Sequence, residues 1–109
     1  MCVFCSIIKG ELPAKKVYED EHMIVIADIK PAYRLHYLAI PKEHYGTLAE
    51  LDPFTASDLA FILKKIPDVA KGLGYGDGYR LVINQGESAG QTVAHLHIHI
   101  LGGEKLRRM

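Results

Sequence analysis

One short stretch of the sequence reads His95-Leu96-His97-Ile98-His99-Ile100-Leu101, and it holds three of the six histidines of the chain. Histidine alternates with apolar residues at the period of a β-strand, in which residues two apart point to the same face. The alternation predicts a strand over residues 94–101 with all three imidazoles on one side. A rise of roughly 3.3 Å per residue separates neighbouring imidazoles by about 6–7 Å, so two of them can share one phosphate or one metal ion.

Three imidazoles on one strand face favour a functional site over ordinary packing. A buried imidazole needs hydrogen-bond partners, and no other polar residue lies between these histidines. Imidazole is also the side chain best suited to acid–base, nucleophilic and metal-binding roles near neutral pH. The three histidines therefore predict a catalytic or binding site at this strand.

The loop before this strand carries a second signal, because residues 84–92 combine glycines with neutral donors. Glycine lets the backbone approach an anion closely, and successive N–H groups can surround phosphate oxygens. Gln91 and Thr92 add side-chain donors. An ordinary β-turn would also explain the glycines, but the position directly before the histidines favours a phosphate site, where donors and a nucleophile converge.

The pair Cys2-x-x-Cys5 is a third signal, since two thiolates at this spacing form half of many zinc sites. A redox pair is the alternative, although that motif normally follows a strand and opens a long helix. Two unpaired buried thiols would be the simplest reading. A zinc ion needs two further ligands, and His44 and His95 are available for a closed, structural site.

Length and charge limit the class of protein. The chain has 109 residues, which predicts a single domain over residues 1–109. Lysine plus arginine and aspartate plus glutamate both number 13, and this balance argues against binding of long nucleic acid but not of a mononucleotide. No apolar run is long enough to span a membrane, and the N-terminus lacks the features of a signal peptide. We therefore expect a cytoplasmic protein.

The remaining periodicity predicts an α+β fold. Asp52 and Pro53 suit the start of a helix, and apolar residues then recur at helical spacing until Gly72, with a kink or a tightened turn expected at Pro67. The apolar run over residues 23–26 predicts a central strand that is covered on both faces. The predicted strands cover residues 16–19, 22–28, 35–40, 79–84 and 94–101, and a short helical region lies within residues 2–12. This order predicts an antiparallel sheet with helices on one face.

The histidine stretch, followed by Gly102-Gly103, resembles the signature of the histidine triad (HIT) family. Further stretches with the same likeness lie at residues 5–13, 17–20, 27–29, 39–44 and 84–91. Their order and the length of the chain resemble the Hint branch of that family, the nucleoside phosphoramidate hydrolases, in its bacterial zinc-containing form.

The resemblance implies a five-stranded antiparallel sheet with one main helix and a short N-terminal helix, and a homodimer with a ten-stranded sheet. It implies an enzyme that binds purine mononucleotides such as AMP and cleaves a bond to the α-phosphorus. The nucleophile would be His97, which forms a nucleotidyl-histidine intermediate. His95 and His99 would orient it or hold phosphate, and His36 would lie near the leaving group. No metal ion is expected at the reacting phosphorus.

The resemblance also implies the binding residues. Asp28 would bind the ribose hydroxyls. The base would lie between apolar walls made by Val3, Phe4, Ile7, Ile26 and Ile29. The ribose phosphate would meet Asn84, Gly90, Gln91, Thr92 and His99. Some bacterial members hold zinc through residues that correspond to Cys2, Cys5, His44 and His95, so a structural zinc ion is expected here.

Two other functions remain open at this stage. A dinucleoside polyphosphate hydrolase or a nucleotidyltransferase would use the same covalent intermediate with another leaving group or acceptor. An adaptor that binds a nucleotide or zinc, with vestigial activity, belongs to a different class. The complete histidine row and the donor loop favour an enzyme.

Overall fold

A computed structural model describes residues 2–109, in which two α-helices pack against one five-stranded sheet. The helices are α1 (Val3–Ile8) and α2 (Pro53–Gly72). The strands are β1 (Lys16–Glu19), β2 (Met23–Ala27), β3 (Leu35–Pro41), β4 (Tyr79–Val82) and β5 (Ile98–Gly102). Short 3-10 turns cover Leu48–Glu50 and Glu87–Ala89. No helix within the described residues is both long and apolar enough to cross a membrane.

The strand order is β1-β2-β3-β5-β4, and every neighbouring pair is antiparallel. β5 lies between β3 and β4, so that His99 is flanked by Leu38 on one side and by Val82 on the other. The predicted five-stranded antiparallel sheet, with one main helix and a short N-terminal helix, is confirmed.

Local sequence signals explain the start of α2. The side chain of Asp52 accepts the N–H of Thr55 at 2.9 Å, and Oγ1 of Thr55 accepts the N–H of Asp52 at 2.9 Å. This reciprocal capping satisfies donors that a helix leaves open at its first turn. The helix then runs through Pro67 to Gly72, with its apolar residues buried against the sheet.

The sheet is covered on both faces, because alternate residues of β2 enter two different cores. Met23 and Val25 pack in the core beneath α2, whereas Ile24 and Ile26 pack in a second core with α1. The expectation of a doubly covered central strand is therefore confirmed. The expectation that the helices share one face is wrong, since α1 buries its apolar side chains on the face opposite α2.

The last strand begins later than the alternation predicted. β5 starts at Ile98 rather than at residue 94, because its pairing with β3 ends at Ala39, although β3 itself continues to Pro41. The N–H of Leu96 instead donates to the carbonyl of Tyr45 at 2.8 Å, in the segment that follows β3. His95 and His97 thus precede the strand, although the alternation of buried and cleft-facing side chains continues through them. The other strand bounds agree with the predictions within two residues.

We expect Ile100→Ala to lower the free energy of unfolding by about 2–5 kcal/mol, because it leaves a cavity beneath α2. Ile100 is completely buried. Its cross-strand partner Leu81 is 39% exposed and supplies a matched control. Leu81→Ala should cost about 1 kcal/mol or less. Urea unfolding measures both values, and equal losses would contradict this placement of the core.

Candidate active site and metal centre

The segment around β5 carries its histidines on the face opposite α2. Three apolar side chains are completely buried beneath that helix: Leu96, Ile98 and Ile100. His97 and His99 alternate with them and lie on the other side, where their ring centroids are 5.1 Å apart. Phe4 of α1 packs edge-on against His97 with 5.0 Å between ring centroids. The short helix α1 therefore forms one wall of the histidine face.

A backbone carbonyl determines which ring nitrogen of His95 carries the hydrogen. Nε2 of this buried ring lies 2.8 Å from the carbonyl oxygen of Pro41. Because a carbonyl only accepts, Nε2 donates and Nδ1 keeps its lone pair. That lone pair faces Sγ of Cys2 at 3.3 Å and Sγ of Cys5 at 3.6 Å. Burial lowers the pKa of His95 and so favours the neutral ring.

The ligand atoms of four side chains lie within 4.8 Å of one another, and these residues are Cys2, Cys5, His44 and His95. Sγ of Cys5 is 3.2 Å from Nδ1 of His44, and the Nδ1 atoms of His44 and His95 are 3.1 Å apart. Tetrahedral zinc with ordinary bond lengths places sulfur–nitrogen pairs about 3.5 Å apart and nitrogen pairs about 3.3 Å apart. The spacing and the donor chemistry of this cluster fit a zinc ion.

Helix α1 positions the two thiols of this cluster. Cys2 is its N-cap residue, and Sγ of Cys2 accepts the N–H of Cys5 at 3.4 Å. Both cysteines are free, and α1 has only six residues, unlike the long helix that follows a thioredoxin-like redox pair. Partial burial and the neighbouring Cys2 raise the pKa of the Cys5 thiol. A bound cation would reverse this effect by stabilising the thiolate.

A second backbone carbonyl determines the hydrogen position on His97. Nδ1 of His97 donates to the carbonyl oxygen of His95 at 2.8 Å. The neutral ring therefore keeps its lone pair on Nε2. Within residues 2–109, no side chain or backbone group forms a hydrogen bond with that Nε2, and His97 lines an open cleft. His97 thus presents a nucleophilic nitrogen to whatever occupies the cleft.

A backbone N–H determines the hydrogen position on His36. The N–H of Ala32 donates to Nδ1 of His36 at 2.9 Å. In the neutral ring Nε2 must then carry the hydrogen, and it donates to Nδ1 of His99 at 2.9 Å. Oδ2 of Asp28 lies 3.4 Å from the same Nε2. Burial lowers the pKa of both imidazoles, that of His99 to about 4 with help from neighbouring His97 and His36, so the pair is neutral at pH 7.

The group Asp28, His36 and His99 also has ligand atoms within 4.8 Å of one another. A metal ion there would need the lone pair of Nε2 on His36, but the N–H of Ala32 leaves the hydrogen on that nitrogen. Metal-bound histidines instead donate their other N–H to an acceptor, as His95 does to Pro41. The Asp28 group is therefore a hydrogen-bonded chain that does not suit a metal ion.

The cleft beside His97 has a volume of about 970 Å³, and it combines an apolar wall with the histidine face. The predicted site residues that line it are Val3, Phe4, Ile7, Ile26, Asp28, Ile29, His36, Thr92, His97 and His99. α1 supplies three of the apolar residues, and β2 with the turn after it supplies Ile26, Asp28 and Ile29. The structure thus brings the predicted base walls and the predicted ribose ligand to one cavity.

The side chain of Gln91 holds the glycine-containing loop in place, and the predicted contact of this loop with phosphate stays a prediction. The side chain of Gln91 accepts the N–H of Gly86 at 2.8 Å and donates to the carbonyls of Gly46 at 2.7 Å and Val93 at 3.1 Å. Its polar atoms are therefore used to hold the loop. Gly86 and Gly90 have φ values of 86° and 94°, which glycine adopts without strain.

Three of the predicted site residues do not line the cleft that residues 2–109 form: Asn84, Gly90 and Gln91. The amide of Asn84 lies 3.5 Å from Nε2 of His99, and that nitrogen carries the hydrogen because Nδ1 accepts from His36. Asn84 must therefore turn its amide oxygen toward His99. This residue supports the histidine chain from the side of the loop.

Several residues that line the cleft were not predicted from the sequence. These are Leu12, Pro13, Ala14, Lys15, Lys30, Leu38 and Val93. Leu38 lies two residues after His36 on β3, so strand periodicity could have identified it. Residues 12–15 lie in a connection between α1 and β1, where no periodicity indicates the direction of a side chain.

Comparisons with known proteins agree with this architecture. A family model described as "HIT domain" matches residues 9–106. The curated protein HitA of Neisseria gonorrhoeae is 46% identical over 101 residues, covering 93% of this chain and 94% of HitA.

Two solved structures extend the likeness. A HIT family hydrolase from Clostridium thermocellum is 50% identical with a TM-score of 0.93, covering 99% of this chain and 95% of that one. A zinc-bound histidine triad family protein from Mycobacterium smegmatis is 41% identical with a TM-score of 0.79, covering 97% and 79%. The family model spans nearly the whole chain and these relatives are well above 30% identical, so the chain belongs to the histidine triad (HIT) family.

Proposed function

We propose that this protein hydrolyses purine nucleoside phosphoramidates at the α-phosphorus, through a covalent bond between the nucleotide and His97. The observation that carries this proposal is the free lone pair on Nε2 of His97, which faces a cleft large enough for a nucleotide. The neighbouring lone pairs are used: Nδ1 of His36 and of His99 accept hydrogen bonds, and Nδ1 of His95 faces the thiols. Relatives named HIT family hydrolases, from Clostridium thermocellum and Legionella pneumophila, support a hydrolase.

In the proposed reaction, Nε2 of His97 bonds to the α-phosphorus while the bond from phosphorus to the leaving amine breaks. The electron pair of that bond goes to the amine nitrogen, which takes up a proton. The candidate proton source is the His36–His99 pair once it has bound one further proton, because an imidazolium returns to neutral imidazole when it protonates the amine. The two rings lie in the same cleft with a 2.9 Å hydrogen bond between them. Water then cleaves the bond between phosphorus and His97 and releases the mononucleotide.

The cleft supports recognition of a nucleoside. The side chains of Phe4, Ile7 and Ile26 offer apolar surface to a purine base. Asp28 offers a carboxylate to ribose hydroxyls, with Oδ1 already fixed by the N–H of Lys30 at 2.8 Å. Thr92, which lines the cleft, offers a side-chain donor to the phosphate. Homodimerisation, a preference for purines and a cytoplasmic location stay predictions of the family resemblance.

A dinucleoside polyphosphate hydrolase or nucleotidyltransferase is the second candidate, because it would use the same nucleophile with a leaving group that needs no proton. Turnover of an adenosine phosphoramidate and of a diadenosine polyphosphate, measured beside AMP binding, separates these activities from a nucleotide-binding adaptor. An adaptor would bind AMP and turn over neither compound.

We expect His97→Ala to lower turnover of an adenosine phosphoramidate by about 10³-fold or more while AMP binding changes little, because the lost interaction belongs to the transition state. When a reaction of the wild-type protein with labelled nucleotide is quenched without acid, the P–N bond to histidine is preserved, and the label should be found covalently bound to the protein. His22→Gln is a matched control, since His22 lies outside the cleft, against Asp58 of α2. Near-normal turnover by His97→Ala would overturn the proposal.

We also propose that Cys2, Cys5, His44 and His95 hold a structural zinc ion. The tetrahedral spacing supports this, and so does the zinc-bound relative from Mycobacterium smegmatis. The ion would connect α1 to the segment before β5, because Cys2 and Cys5 belong to the start of α1 and His95 lies in that segment, two residues before His97. His95 fits this role, since its Nε2–H is bound by Pro41 and its Nδ1 is free for a metal.

Cys5→Ser should reduce zinc from one ion per chain to a small fraction and lower Tm by about 10 °C, because metal bound only to the native state stabilises that state. Elemental analysis and thermal unfolding of untagged protein measure both effects, with His22→Gln as the control. A chelator should lower Tm of the wild-type protein in the same way. Turnover should survive chelation under conditions where the fold remains intact.

The neutral state of His99 makes stability depend on pH. Its pKa is about 4 in the folded protein, and its usual value is about 6.5, so the unfolded state binds more protons between these values. The free energy of unfolding should therefore decrease as the pH falls from about 6.5 to about 4. His99→Gln should flatten this decrease.

His22 provides a control of opposite sign for that measurement. The hydrogen bond with Asp58 raises its pKa, so its contribution is present at low pH and is lost as the pH rises. His22→Gln should therefore steepen the decrease toward acid. Urea unfolding across this range gives the slopes, and an unchanged slope in His99→Gln would contradict the assignment of His99.

A further inference from the structure

The turn from β2 into β3, taken as residues 28–36 with the first two residues of β3, has backbone N–H groups bound at positions 28, 30, 32 and 34. The N–H of Asp28 donates to the carbonyl of His36 at 3.0 Å and closes the turn. The N–H of Lys30 donates to Oδ1 of Asp28 at 2.8 Å, and the N–H of Ala32 donates to Nδ1 of His36 at 2.9 Å. These three bonds are internal to the turn, and two of them use side chains of the cleft.

The fourth bond comes from outside the turn. The N–H of Arg34 donates to Oε1 of Glu104 at 2.8 Å, across 70 residues of sequence. The guanidinium of Arg107 also lies 5.1 Å from the ring centroid of Tyr33. The segment after β5 therefore contacts the turn at two points.

The approach of this segment depends on Gly103. Its φ is 81°, and a Cβ atom there would lie 2.6 Å from Cγ of Leu35 and 3.1 Å from the backbone nitrogen of Leu35. Only glycine allows the chain to pass this close while it turns back over the loop. Glu104 is thereby placed directly over the N–H of Arg34.

We propose that Glu104 is a positioning residue for His36. Its carboxylate holds the turn, and the turn holds the N–H of Ala32 on Nδ1 of His36. That bond keeps the hydrogen of the neutral ring on Nε2, which faces His99 and the cleft. Glu104 itself does not line the cleft in the described part of the chain, so it acts through the backbone of the turn.

The consequence for activity rests on the proposed function. If the turn loosens, the neutral His36 ring distributes between its two tautomers, and the fraction with hydrogen on Nε2 decreases. The hydrogen bond from His36 to His99 then weakens, so a reaction whose leaving amine takes its proton from this pair would slow at the chemical step. Because the same turn carries Asp28 and Ile29 of the cleft wall, the tautomer of His36 rather than KM is the readout that identifies the positioning role.

The test compares Glu104→Ala with Glu104→Gln, which keeps an acceptor oxygen, and with Asp68→Ala, which removes one exposed carboxylate elsewhere. Long-range proton–nitrogen NMR of the zinc-loaded, full-length protein reports the tautomer of His36 directly. Glu104→Ala should give a mixture of tautomers and about tenfold faster exchange of the Arg34 and Ala32 amides. The other two variants should resemble the wild-type protein.

An unchanged tautomer of His36 in Glu104→Ala would overturn the proposal, as would the same change in Asp68→Ala. The kinetic readout is separate: kcat for a phosphoramidate should fall about threefold or more, with rescue by Glu104→Gln. If the tautomer changes and no variant or wild-type protein turns over phosphoramidates, the positioning role stands and the proposed function fails. The two conclusions are therefore distinguishable.

Discussion

The burial of Leu96, Ile98 and Ile100 beneath α2 is the constraint on which the site depends. Each of these side chains is completely removed from solvent. Since neighbouring residues of an extended chain point to opposite sides, this burial forces the interleaved histidines onto the other face. The position of α1 on that face then creates a cleft, because Phe4 and Ile7 must cover the second core while leaving His97 accessible. Packing energy on one side of the sheet thus orients chemistry on the other.

Backbone groups then distribute the protons among the imidazoles. The carbonyls of Pro41 and His95 can only accept, and the N–H of Ala32 can only donate. These three contacts assign a single neutral tautomer to three different rings. The lone pair of His95 faces the thiols of Cys2 and Cys5, that of His97 faces the cleft, and that of His36 accepts the N–H of Ala32 in the turn after β2. Identical side chains thereby acquire different chemical roles within a few ångströms.

Much of this arrangement was predictable from the sequence, where a strong periodicity or a specific spacing exists. The alternation over residues 95–101 identified the histidine face, and the spacing of Cys2 and Cys5 identified half of the candidate zinc ligands. The start of α2 followed from Asp52 and Pro53. These signals are local, so they persist whatever the rest of the fold does.

Other features depend on tertiary contacts and could not be predicted in this way. β5 starts at Ile98 because its pairing with β3 ends at Ala39, which no property of residues 94–97 reveals. The side of the sheet that α1 covers depends on which core accepts Phe4. Gln91 is predicted as a ligand because its amide suits phosphate, and the sequence does not reveal that the same amide bonds to backbone groups of Gly86, Val93 and the distant Gly46. The bond between Arg34 and Glu104 has no sequence signal at all.

The backbone origin of the acceptors has a consequence for how this site tolerates change. A backbone carbonyl is present whatever side chain a residue bears, so a substitution at Pro41 keeps the acceptor that sets the tautomer of His95. A substitution at Ala32 likewise keeps the N–H that sets the tautomer of His36, unless the new residue is proline. The proton pattern is thus inherited from the path of the chain rather than from the identity of neighbouring residues. Mutational drift around the cleft can alter which molecules fit while the reactive nitrogen stays the same. The vulnerable positions are those that bend the path, above all Gly103, where an added Cβ would collide with Leu35.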